Sequence, residues 1–136
     1  MILNQNKASK FNFLAMIGGR KMENNFFEAT SFLSDFFKNK MSLLPTDVKS
    51  RTVEIRLRRE MPLALTLENG TTYFLERNGQ ISEDPCGDVL VCSGGEIEQS
   101  FLSLCRYSVH THQAEISQGY IMLRGGHRAG IAGRGV

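Results

Sequence analysis

Tryptophan is absent from the 136 residues, proline and cysteine occur three times each, and no apolar run approaches the ~20 residues that span a bilayer. Each scarcity excludes something. Cys86, Cys92 and Cys105 form an odd set with no Cys-x-x-Cys pair and no histidine at zinc-ligand spacing, which supports neither a disulfide framework nor a structural metal site. They read as reduced thiols, and the expected location is the cytoplasm. The stretch from Lys7 to Lys21 holds only a short apolar patch, interrupted by Asn12 and Gly18, so neither a transmembrane segment nor a secretory signal is expected. Charge of one sign is also scarce. Sixteen basic against 14 acidic residues leave +2, too little for a surface that tracks nucleic acid along its whole length.

A hydrophobic content of 41% suits one domain of roughly 100 to 115 residues. Residues 1–21 lack sustained periodicity and are expected to be a disordered or atypical tail, leaving 22–136 as the folded unit. From Met22 to Lys40, Phe26, Ala29, Leu33, Phe36 and Phe37 recur at spacings of three and four, which predicts one amphipathic helix with a phenylalanine stripe for core or interface. Pro45 suits the entry of a short helix over Pro45 to Lys49.

The period then changes. Over Thr52 to Arg58, Val53, Ile55 and Leu57 alternate with Glu54, Arg56 and Arg58, predicting a strand with the apolar set buried. Leu63, Leu65 and Leu67 continue the alternation up to Asn69-Gly70, a hairpin signal, with Thr71 to Leu75 as the return strand. Asn78-Gly79 marks another turn, and Val89 to Cys92 reads as a short strand or an extended entry to a helix. Ser93 and Glu96 stand at capping-box spacing before a helix with Ile97, Phe101, Leu104 and Cys105 on its apolar stripe. His110 to Gln118 suggests a further helical stretch, Tyr120 to Leu123 a strand, Gly125-Gly126 a reversal, and His127 to Val136 a glycine-rich return strand with Ala129 and Ile131 facing opposite to Arg128 and Arg134. Hairpins mixed with helices predict an α+β fold, a small mixed or antiparallel sheet packed by two to four helices.

Chemistry is sparse. His110-x-His112 lacks a third ligand for a metal, and Ser108, His110 and Glu115 are sequence neighbours without a nucleophile elbow. The run Gly125 to Gly135 could present amides to an anion but lacks the Gly-x4-Gly-Lys-Ser/Thr spacing of a phosphate-cradling loop. Two arginine groups remain, Arg56, Arg58 and Arg59, and Arg124, Arg128 and Arg134. Strand geometry could bring them to one face, and the plainer reading is a solvated sheet face.

Two blocks carry more weight: Glu54-Ile-Arg-Leu-Arg58 with Pro62-Leu63, and Gln118-Gly-Tyr-Ile-Met-Leu-Arg-Gly-Gly-His-Arg-Ala-Gly-Ile-Ala-Gly-Arg134. With Leu102 to His110 and Glu115-Ile116 between them, residues 26–136 resemble the stage III sporulation protein AA family, related to type II and type IV secretion ATPases. The resemblance implies an α+β amino-terminal domain that precedes a RecA-like motor domain with the Walker motifs. It also implies homo-oligomeric rings beneath a membrane channel joining mother cell and forespore, with membrane proteins of that channel as partners. On that reading this chain is a truncated amino-terminal part with no catalytic residue or cofactor of its own, and ATP and Mg2+ belong to the motor domain. Arg128 and Arg134 become candidates to approach nucleotide held there. Glu54, Arg56, Arg58, Gly125, Gly126, His127, Gly130 and Gly133 become candidates for an interdomain surface. The glycines would let the strand pass close to a neighbour, and His127 would orient the turn. The rival readings are a nucleic-acid-binding module that stacks bases on Tyr73, Tyr107 or Tyr120, and an inert fragment with uncovered apolar surface.

Overall fold

The computed structural model describes residues 12–16, 23–107, 120–122 and 126–132. Among the described residues seven strands form one sheet: β1 (Asn12–Met16), β2 (Thr52–Leu57), β3 (Ala64–Leu67), β4 (Thr72–Leu75), β5 (Ile81–Ser82), β6 (Tyr120–Met122) and β7 (Arg128–Ala132). The order is β5-β4-β3-β2-β1-β7-β6, and every pairing is antiparallel. Four helices are described: α1 (Glu23–Ala29), α2 (Asp35–Ser42), α3 (Thr46–Arg51) and α4 (Gly94–Tyr107). The fold is α+β, as the hairpins and helices of the sequence imply.

The segment expected as one helix from Met22 to Lys40 is two. Thr30 Oγ1 donates to the Phe26 carbonyl at 2.9 Å and Ser31 Oγ to the Glu28 carbonyl at 2.7 Å, so hydroxyls compete for the carbonyls that would continue α1. Ser34 then caps α2, its hydroxyl accepting from the Phe37 amide. The break re-phases the stripe. Phe26, Ala29, Phe32, Leu33 and Phe37 are buried, whereas Phe36 is exposed and Phe27 is 75% exposed. α3 follows Pro45 and runs to Arg51, two residues past the expected Lys49. At α4 the Ser93 hydroxyl accepts from the Glu96 amide at 3.2 Å, and Ile97, Phe101 and Leu104 are fully buried.

In β2 a bulge between Thr52 and Glu54 sets two residues against Leu67 of β3. Thr52, Ile55 and Leu57 are therefore buried, while Val53, expected inside, is only half-buried. The Thr52 hydroxyl is satisfied within the core by the Val48 carbonyl at 2.7 Å. At the two hairpin turns Gly70 and Gly79 have φ of +85° and +90°, and Asn69 and Asn78 each accept from the amide two residues on, both at 2.9 Å. The Val89 to Cys92 segment is extended. Leu63 donates to Leu90 (2.9 Å), Leu90 to Leu75 (2.7 Å) and Leu75 to Leu63 (3.0 Å), so three buried leucines close a backbone ring at the end of the hairpin.

The tail expectation for residues 1–21 needs correction. Asn12–Met16 is a strand between β2 and β7, near the middle of the sheet. A short apolar run without alternation suits a central strand, and its mostly apolar sequence Asn-Phe-Leu-Ala-Met offers no period-2 signal.

All four helices contribute to a single core with Ile55, Leu57, Leu65, Leu67, Leu75 and Ala129 of the sheet. Burying about 20 such side chains, at about 1.5–3 kcal/mol each, is the main force that holds the helices on one face. Tyr73, in register with Leu65, packs against the same core. The expected helix over His110 to Gln118 and the side chains of Cys105, Tyr107 and Tyr120 lie outside the described residues.

Candidate interdomain surface

The opposite face of the sheet is mixed: Glu54, Arg56, Thr66, Thr72 and Arg128 lie on it, together with Ala64 and Phe74, which stand in register with Arg56. β2 alternates, so Glu54 and Arg56 point away from the side that holds Ile55 and Leu57. On β7, Ala129 is buried in the core, and Arg128 on the other side is exposed. β1 places these residues in common rungs. Met16 pairs with both Glu54 and Arg128, and Leu14 pairs with both Arg56 and Gly130. Glu54 and Arg128 therefore stand two strands apart, about 10 Å along the hydrogen-bonding direction.

Within this face Arg56 Nη2 lies 3.0 Å from Glu54 Oε2, with the carboxylate 20% and the guanidinium 44% exposed. Thr66 of β3 donates to the same carboxylate oxygen at 3.5 Å and shares a 3.2 Å hydroxyl contact with Thr72. Glu54 thus partly neutralises Arg56 and holds it over the strand, while Arg128 presents charge farther along the face. Two guanidinium groups on one rigid sheet suit recognition of carboxylate or phosphate oxygens supplied from outside.

The glycine-rich turn is anchored from below. Gly126 has φ of +83°, a conformation that favours glycine, and the next residue turns inward. His127 is fully buried, its Nε2 3.3 Å from Glu28 Oε1 on α1. Sequence reasoning had no signal for Glu28, because its partner lies 99 residues away.

The first arginine group does not stay together. Arg56 lies on the open face, whereas Arg58 follows the end of β2 and its Nε is buried with no hydrogen-bond partner. Its amide and its charge act on the Cys92 thiol. Burial pushes that thiol up to about 12, and Arg58 offsets only part of the shift. Arg59 lies against the start of α4, with Nε 2.8 Å from where a side chain on Gly94 would begin. Gly125, Gly133 and Arg134 lie outside the described residues, as do Ser108, His110, His112 and Glu115. Among the described residues no group of three or more His, Cys, Asp or Glu could hold a metal ion, and no helix is long and apolar enough to cross a membrane. Tyr73, a candidate for stacking bases, is instead partly buried against the core.

Residues 33–136 match the sequence model of the family described as "Sporulation stage III, protein AA". The chain is 32% identical over 110 residues to "Stage III sporulation protein AA" of Bacillus subtilis (strain 168), a match that covers 79% of this chain and 30% of that relative. The chain thus spans about a third of the length of the curated relative it matches. No solved structure matches.

Proposed function

The chain belongs to the sporulation stage III protein AA family, and from that premise we propose that residues 22–136, with β1, form a regulatory and ring-assembly domain of a secretion-type ATPase. Phosphoryl transfer requires phosphate-cradling amides, a lysine and metal-holding groups, and these would come from a motor domain elsewhere in the longer protein. The domain's own contribution is a surface. Its helices bury their apolar stripes in the core, and the open sheet face offers Glu54, Arg56 and Arg128 for contact.

The observation that carries this reading is the shared rung of Glu54 and Arg128 across β1, with Arg56 one rung away on the same face. Such a surface would dock the motor domain of the same or a neighbouring subunit and follow its nucleotide state. Arg128, and Arg134 beyond it, would add charge stabilisation near bound ATP and Mg2+ without performing a chemical step. In the assembled protein this would serve a ring at the cytoplasmic side of a mother cell–forespore channel, with membrane proteins of that channel as partners.

The test compares residues 1–136 with a longer protein that includes a downstream ATPase domain, by nucleotide binding and magnesium-dependent phosphate release. The expected result is binding and turnover by the longer protein alone. Turnover by residues 1–136 would overturn the assignment of catalysis to another domain.

A further inference from the structure

The position of β1 is unusual for its place in the sequence. Its two neighbours, β2 and β7, come from residues 52–57 and 128–132, and β1 separates them. Removing it would split the sheet into β5-β4-β3-β2 and β7-β6, each with a newly opened edge of backbone donors and acceptors. Yet residues 12–16 lie outside the family match, which begins at residue 33. The residues that match the family therefore include both walls of a strand-shaped slot, and a segment outside the match fills it.

We propose that this slot is an exchange site, in which residues 12–16 of a second copy of this chain can replace the chain's own β1. An occupant must be extended over five residues and make ladders on both sides. It must also place residues in the rungs of the buried Ile55 and Leu57. The same five residues of another copy meet every one of these demands, because exchange preserves each native pairing. Only the six residues Ile17 to Met22 join β1 to α1 in sequence, and they include the consecutive glycines Gly18 and Gly19. Consecutive glycines restrict direction least, and six residues reach up to about 20 Å when extended. With native contacts equal in both arrangements, the balance is set by linker reach and local concentration of copies. The inference rests on sheet topology and stands whether or not a motor domain docks on the open face.

Two differently tagged copies of this chain test it, both in a Cys86→Ser background. One carries Ala15→Cys and the other Ala129→Cys, positions that face each other across the β1–β7 ladder. Paired strand residues lie within disulfide reach. After co-expression and mild oxidation, exchange predicts a covalent heterodimer that carries both tags, absent when either cysteine is omitted. A single chain with both substitutions serves as the reference for closure within one molecule. A second pair, Leu14→Cys with Arg56→Cys, must give the same heterodimer across the β1–β2 ladder. Cross-links confined to single chains for both pairs would overturn the proposal. So would the absence of any cross-link, because β1 would then not occupy the slot.

Discussion

The two faces of this one sheet obey different rules, and β2 shows both within six residues. Toward the helices, Ile55 and Leu57 have no exposed surface, and even the polar Thr52 finds a carbonyl partner there. Toward solvent, Glu54 and Arg56 satisfy each other and remain within reach of a ligand or partner. The covered face is therefore where substitutions cost stability. The open face is where they can alter binding at little structural cost.

The largest effect should come from Ile55→Asp, which would bury a charge without a partner in the centre of the core. It should abolish the cooperative urea-unfolding transition. A variant that unfolds cooperatively near the parent midpoint would remove Ile55 from the core.

The thiols provide the next contrast. In a Cys105→Ser background, Cys86 is exposed and Cys92 is buried with its thiol raised to about 12. At pH 8 a thiol reagent should modify Cys86 far faster than Cys92, because burial both shields the Cys92 sulfur and disfavours its thiolate. Equal rates in the folded protein would place Cys92 outside the core. The raised value also fixes a sign. The stability that Cys92 contributes as a neutral thiol is complete below the ordinary thiol range near 9 and is lost as pH rises toward about 12.

The two hairpin glycines sharpen the comparison further. Both have positive φ, so alanine at either should cost on the order of 1 kcal/mol in backbone strain. Gly70 has open space around it, whereas a side chain on Gly79 would meet Leu43 Cβ. Gly79→Ala should therefore lower the thermal midpoint more than Gly70→Ala, and the reverse order would contradict the packing of this turn on the end of α2. The smallest effect is expected for Arg56→Gln. Arg56 is the exposed partner of its ion pair, so the loss should stay within about 0.5 kcal/mol by chemical denaturation.

The parts of this architecture legible in the sequence are those whose cause is local. Alternation marks β2, and asparagine–glycine pairs mark the turns that join β3 to β4 and β4 to β5. Ser93 and Glu96 mark the start of α4. The misreadings have tertiary or mixed causes. Five residues without alternation hide β1, whose identity depends on partners 38 and more positions away. A three- and four-residue spacing continues across the Thr30–Ser34 break, so α1 and α2 read as one helix although the hydroxyls there favour a stop. The bulge shifts Val53 out of phase and is visible only against Leu67. The site was partly legible for the same reason. Glu54, Arg56 and Arg128 could be picked out by alternation, but their shared rungs depend on β1, and Arg58 leaves the group because the strand ends at Leu57.

The central proposal, that the open face would serve an assembled ATPase and not the stability of this domain, is tested most directly by Arg128→Ala in two settings. In residues 1–136 the substitution should leave the unfolding free energy unchanged to within about 0.5 kcal/mol, as expected for an exposed side chain. In a longer protein that includes a downstream ATPase domain, the same change should lower magnesium-dependent phosphate release or ring formation. Unchanged turnover and unchanged assembly in the longer protein would contradict the claim.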